Sequence, residues 1–212
     1  MNNGNIIEFI KNDGSRNLIS SIPGVSINFH GINNHIVIYE GTKFTNCAMI
    51  LISNMHIEIK KSNFGIVNLK IFGNHSDVSI GNNFSCWGVE IRCHEKNTTV
   101  KIGDNCMFSE DILIYPTDVH TIYDQSTGEL LNLGKPITIG NHVWCNRDVK
   151  ILKGSVVGND VVIAANSLVN KSFFNDNNVI LGGQPAKILK RNINWSRETP
   201  WEYLQKQNRQ AL

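Results

Sequence analysis

Six residues separate each member of the series Ile139, Cys145, Ile151, Val157, Ile163 and Val169, and small or apolar residues fall four places after the first five, at Val143, Val149, Ser155, Val161 and Ser167. An α-helix wants apolar residues at three and four, and a two-sided strand wants them at two, so a sustained period of six fits neither. It fits a triangular coil whose flat sides each use six residues. Three sides make a coil of 18 residues, which is the separation of Ile139 and Val157.

The earlier half repeats more loosely. Apolar-x-apolar segments stand at Ile36-Val37-Ile38, Ile57-Glu58-Ile59, Val78-Ser79-Ile80, Val100-Lys101-Ile102 and Ile137-Thr138-Ile139, and their last residues are spaced 21, 21, 22 and 37. The shorter spacings are coils with a few extra residues at a corner. The spacing of 37 is one coil plus a 19-residue excess, an excursion loop between His120 and Lys135 that is rich in turn formers. Each coil offers short parallel strands to the next, pairing backbone groups and stacking apolar side chains inside. Gly81, Gly103, Gly140 and Gly158 follow interior residues and mark corners of close approach. Thr199-Pro200-Trp201-Glu202 is a capping box with proline at the first helical position, and predicts a short helix from Pro200 to about Ala211. The expected organisation is an N-terminal segment at 1–20, a β-helix at 21–195 with its loop at about 121–136, and a C-terminal helix at 199–212.

At 212 residues and 41% hydrophobic content the chain suits one domain, and a formal charge of +2 is too small to imply a nucleic acid or an anionic membrane as partner. The polar start Met1-Asn2-Asn3-Gly4-Asn5 lacks a signal-peptide pattern, and no apolar run reaches membrane-spanning length, so the chain reads as cytoplasmic with no integral membrane segment. Five cysteines, with no Cys-x-x-Cys pair, read as buried thiols and not as a zinc or redox site.

The hexad run, the loop before it and Gly182-Gly183-Gln184-Pro185-Ala186-Lys187 resemble bacterial hexapeptide-repeat acyltransferases. More narrowly they are similar to capsular polysaccharide (polysialic acid) O-acetyltransferases. The matching residues are Ile102-Gly103-Asp104-Asn105-Cys106-Met107, Thr117-Asp118-Val119-His120, Gly134-Lys135-Pro136, Ile139-Gly140-Asn141-His142-Val143-Trp144 and Ile151-Leu152-Lys153-Gly154. The similarity is strong over residues 98–195, and before that only the coil pattern carries it. The resemblance implies a left-handed parallel β-helix, a homotrimer, and acetyl-CoA as co-substrate in a groove between subunits, with no metal. The chain departs from the pattern at Cys145-Asn146, where many relatives have Ile-Gly. It departs again at Glu90 and Arg92, which stand where interior apolar residues are expected.

Transfer of an acyl group from a thioester to an alcohol requires the hydroxyl to lose a proton as it attacks, and imidazole can take that proton near neutral pH. His120, at the junction of coil and loop, matches the family's catalytic histidine; by position alone it would be a surface histidine at a loop start. Asp118 or a backbone carbonyl is the candidate for fixing its tautomer, and Asp118 and Tyr115 are candidates for contact with the acceptor. Trp144 falls at an outer position and, on the resemblance, lines the cleft beside CoA or sugar as a catalytic or cofactor-binding residue. The CoA groove on the same grounds draws on Ala164, Ala165, Gly183, Pro185 and Ala186, with Lys187, Lys190 and Arg191 meeting its phosphates. No serine or cysteine nucleophile sits next to a base, which favours direct displacement over an acyl-enzyme.

Three other readings stand beside this one. A bare β-helix can serve as a scaffold. The His30-x4-His35 pair offers two imidazoles of the kind β-helical metal hydratases use, an incomplete set for a metal. The same base and groove could also serve N-acetylation of an amino sugar or nucleotide sugar.

Overall fold

In each apolar-x-apolar segment the flanking residues turn inward and the middle one outward, as the two-residue side-chain period of a strand requires. Ile57 and Ile59, Val78 and Ile80, and Val100 and Ile102 are buried, whereas Glu58, Ser79 and Lys101 are not. In the computed structural model, which describes residues 3–210, these strands stack in register, Ile36 on Ile57 on Val78 on Val100 on Ile137. One coil later Ile139 lies on Val157. About seven coils result, with three faces of nine, eight and seven strands. Every rung-to-rung pairing is parallel; among the described residues the two antiparallel strand pairs lie at the ends, Ile6–Ile10 with Arg16–Leu18 and Val179–Gly182 with Lys187–Arg191. The chain visits the faces in a fixed order, for example Thr99–Ile102 on the first, Met107–Phe108 on the second and Ile112–Tyr115 on the third.

Coiling begins earlier than residue 21. Ile6–Ile10 is already a rung of the first face, parallel to His35–Tyr39 with Ile7 on Ile36. Twenty-nine residues separate those two isoleucines, too irregular a spacing to reveal the repeat. The register at 86–92 also differs from the expectation of interior polar residues. In Val89–Cys93, Val89, Ile91 and Cys93 point inward while Glu90 and Arg92 point out and pair with each other. Their charges therefore cost the core nothing.

The corner from first to second face shows why the repeat is so strict. A Cβ built on Gly103 would lie 2.6 Å from the Gly140 carbonyl oxygen, and one on Gly140 would lie 2.5 Å from that of Gly158. The next residue extends the column as a ladder: the backbone N–H groups of Asn82, Asp104, Asn141 and Asn159 donate to the side-chain oxygens of Asp104, Asn141, Asn159 and Asn177 at 2.6–2.8 Å. One place further on, Asn83, Asn105, His142, Asp160 and Asn178 all have positive φ. Asparagine and aspartate tolerate this conformation better than other side chains.

The helix Pro200–Gln210 starts on the capping box, with Thr199 N–H donating to the Glu202 carboxylate at 2.8 Å and Glu202 N–H donating to Thr199 Oγ1 at 3.3 Å. The first two residues of the expected N-terminal segment, and residues 211 and 212 of the expected helix, lie outside the described residues.

Gly140→Ala is expected to destabilise the chain by about 1–3 kcal/mol through forced separation of two coils. Gly65→Ala, whose Cβ would find only a Val67 methyl at 3.9 Å, is expected to leave the melting temperature within a degree or two of wild type. Equal melting of the two variants in a calorimeter would refute the corner argument.

Candidate functional site

The excursion leaves the third face after Ile112–Tyr115 and returns to the first at Ile137–Ile139. Its two ends are clipped together, with Lys135 N–H donating to the Pro116 carbonyl at 3.0 Å. Beneath it lies Glu95. That carboxylate accepts from Thr117 Oγ1 at 2.6 Å and from Gly134 N–H at 2.9 Å, so one side chain holds both strands of the loop. Asn132 ties the tip: its amide donates to the His120 carbonyl (2.8 Å) and to Asp118 Oδ2 (3.1 Å), and its oxygen accepts from Ile122 N–H (2.7 Å). Lys153, from the next coil, pairs with Asp118 and donates to the Asn132 carbonyl at 2.9 Å.

Within this frame the backbone at Val119 takes φ +65°, a genuine outlier for a β-branched residue. His120 N–H closes a three-residue turn onto the Asp118 carbonyl at 2.7 Å, and Val119 N–H donates to Thr117 Oγ1 at 2.9 Å. Such a conformation costs about 1–3 kcal/mol and persists where surrounding contacts over-determine it. The His120 backbone is thus held on both sides while its side chain is exposed and, among the described residues, makes no hydrogen bond. His120 borders a hollow of about 230 Å³ with Glu95, Val119, Leu130 and Leu133.

Asp118 does not orient the ring. Its carboxylate is spent on Lys153 and Asn132, and the Lys153 hydrogen bond above all holds its pKa below the usual carboxylate range. Tyr115 ends the third-face strand, half-buried and in register with Leu152 of the next coil.

Trp144 stands elsewhere. It opens Trp144–Cys145 on the second face, in register between Met107 and Val162, and faces outward, as its outer place in the hexad implies. The second face lies opposite the corner that carries His120, so one chain does not bring these residues together. What covers Trp144 is the segment leaving the last coil. Trp195 lies 5.9 Å from the Trp144 ring and stacks on His142 at 4.1 Å, its indole N–H donating to the His142 carbonyl. Arg197 donates to Ser85 Oγ and to the carbonyls of Asn83 and Cys106 at 2.8–3.1 Å, with its guanidinium 4.0 Å from the Phe64 ring centre. The strap and the second face enclose a hollow of about 380 Å³ that includes Trp144, Met107 and Arg197.

The remaining candidates gather at one end of the second face. Ala164 and Ala165 follow the strand Val162–Ile163, and Gly183 lies beside them on the last coil, its carbonyl accepting from Leu168 N–H at 3.0 Å. Ala186 is buried and donates to the Leu168 carbonyl; Pro185 precedes it on the same turn. Lys187 and Lys190 are exposed on the edge strand Lys187–Arg191, while Arg191 already pairs with Asp176 at 3.1 Å. No side chain at Gly183, and only methyls at Ala164 and Ala165, leave the backbone open to close approach by a ligand.

All five cysteines are buried, and burial pushes the thiols of Cys86, Cys93 and Cys106 up to about 12, so they are neutral near pH 7. His30 follows a third-face strand whereas His35 opens a first-face strand beside Glu8. Among the described residues no three histidines, cysteines or carboxylates converge as a metal site, and no helix is long and apolar enough to cross a membrane. Sequence reasoning missed Glu95, Asn132, Trp195 and Arg197, and assigned no role to Lys153 although it lies in a matching motif. Glu95 and Lys153 lie 25 residues before and 33 after His120 in the chain, yet one coil below and one above it.

No family model matches the chain. It is 35% identical over 191 residues to the polysialic acid O-acetyltransferase of Neisseria meningitidis, covering 79% of this chain and 88% of that one. The crystal structure of the polysialic acid-specific acetyltransferase NeuO superposes with a TM-score of 0.74 at 29% identity, covering 93% of this chain and 80% of the other. That of the polysialic acid O-acetyltransferase OatWY gives 0.52 at 28% identity, with 88% and 92% covered.

The loop's ties predict a pH response of definite sign. Asp118 is easier to ionise in the folded loop than when free, so its contribution is present above the ordinary carboxylate pKa and is lost as pH falls through the lower folded value. Protease nicking within 117–136 is expected to rise over that acidic range, and Asp118→Asn is expected to show the raised rate already at pH 7. Asn132→Ala should speed hydrogen exchange at Ile122 by about tenfold or less, in keeping with loss of one or two hydrogen bonds. Unchanged exchange would show that the loop is held by something else.

Proposed function

The chain belongs to the hexapeptide-repeat O-acetyltransferase family that includes the polysialic acid O-acetyltransferases, and on that premise we propose that it moves the acetyl group of acetyl-CoA to a hydroxyl of a carbohydrate, with His120 as general base. The observation that carries this reading is the state of His120: backbone clamped, ring unengaged, bordering a hollow. An imidazole kept free of internal partners has a nitrogen available to a substrate proton.

In the proposed step the acceptor oxygen attacks the thioester carbonyl carbon as neutral imidazole takes the hydroxyl proton. The tetrahedral intermediate collapses, the C–S bond breaks, and the imidazolium returns its proton to the leaving thiolate. The neutral, buried cysteines give an acyl-enzyme route no nucleophile. Asp118, Asn132 and Lys153 serve the base at one remove by holding its loop, and Tyr115 stands five residues upstream to meet acceptor.

The reading further takes the enzyme to be a cytoplasmic homotrimer. Because His120 and the Trp144 face lie on opposite sides of a chain, a complete site would pair His120 of one subunit with the second face of a neighbour. Acetyl-CoA would lie along Trp144, Ala164, Ala165 and the turn from Gly183 to Ala186, with Lys187 and Lys190 free to meet its phosphates and Arg191 largely spent on Asp176. The polymer class of the relatives makes a surface or capsular polysaccharide the first acceptor to test.

His120→Ala is expected to keep fold and CoA binding and to lose about 10²- to 10⁴-fold in kcat with polysaccharide acceptors. Ester formation at near-normal rate in this variant would remove His120 as base, and products formed only with amino sugars would replace O-transfer by N-transfer. Joint replacement of Lys187 and Lys190 by alanine is expected to raise KM for acetyl-CoA about threefold to tenfold with kcat little changed; an unchanged KM would place the phosphates elsewhere.

A further inference from the structure

Trp87 is 70% exposed at the corner between second and third faces. The coil does not need an indole there: the residues that follow the equivalent strands on the next three coils are Ser109, Asn146 and Ala164. Its backbone is nonetheless fixed, the carbonyl accepting from Asn68 Nδ2 at 3.0 Å. Trp87 lines two hollows at once. On one side is the 380 Å³ hollow that contains Trp144, with the half-open Phe64 ring backed by Arg197. On the other is a hollow of about 250 Å³ edged by Asn46, Asn68 and Lys70 and by three carboxylates. Glu90 pairs with Arg92 and Arg147 bridges Glu110 and Asp111, and with Lys70 in the same wall the three carboxylates are balanced by three cations.

An exposed aromatic face ringed by amides and internally neutralised charges suits a ligand with one apolar C–H face and many hydroxyls, which describes a pyranose ring. Two strand spacings, roughly 10 Å, separate the coil of Trp87 from that of Trp144. We propose that Trp87 is the platform of an additional acceptor subsite, holding a sugar ring of a saccharide chain beyond the ring that is acetylated. The site therefore selects chains over single sugars. This rests on the carbohydrate acetyltransferase reading above, which supplies the acceptor.

The test measures affinity, so it is separable from the transfer reaction. Oligosialic acids and maltooligosaccharides of one, three and eight residues are titrated by calorimetry against wild type, Trp87→Ala and Trp87→Phe, each checked for fold by circular dichroism. In at least one series affinity is expected to rise with length, the gain to shrink about threefold to tenfold in Trp87→Ala, and to return largely in Trp87→Phe. Affinity independent of length in both series, or a length gain untouched by Trp87→Ala, overturns the subsite. Acetyl transfer by wild type to these same oligomers, scored separately, decides whether the underlying reaction stands.

Discussion

Close stacking of one coil on the next governs everything else in this molecule. At the corner from first to second face, carbonyls of adjacent coils sit where a Cβ would have to go, and the asparagine ladder converts that proximity into hydrogen bonds. Strand pairing then runs continuously up each face, and the interior fills mainly with stacked isoleucine and valine, with larger side chains such as Met49, Met55, Phe84 and Phe108 among them. Because the corner fixes rise and rotation together, a residue's place within its coil decides whether it points in or out.

That rigidity has a consequence for chemistry. A stack of flat, regular faces presents little concavity, so any working site must come from what departs from the repeat. The two largest departures are the excursion at 117–136 and the C-terminal strap at 193–199. Both are secured by polar side chains: Glu95, Asn132 and Lys153 hold the excursion, and Arg197 holds the strap. The strain at Val119 is tolerable only because these ties leave the loop few alternatives.

The repeat, the excursion and the helix were legible in the sequence because each has a local signature: a period of six, a break in that period, and a capping box. The first rung at Ile6–Ile10 was not, since its partner lies 29 residues away, outside any period. Glu90 and Arg92 looked like polar intrusions because the inward residues around them, Val89, Ile91 and Cys93, could be assigned only once the strand was paired. At the site, His120 and Trp144 could be singled out by motif, but their separation could not, because it depends on which face follows which corner. Glu95 was invisible for the same reason; its role arises from coil stacking across 22 and 39 residues of chain.

The separation of His120 from the Trp144 face bears on how such a chain can work at all. Within one triangular prism, a corner and the face opposite it cannot share a small substrate, however the loop moves, since the packed interior lies between them. If both act in one reaction, the site belongs to an assembly, and the geometry of the excursion relative to its own coil becomes the geometry of one subunit relative to another. An error of an ångström in the loop would then displace the base from a cleft built by a different chain. Such an assembly would give a second reason for the way the loop is built: exposed and with no core of its own, it is tied down by a carboxylate, an amide and an ammonium group drawn from three successive turns of the coil.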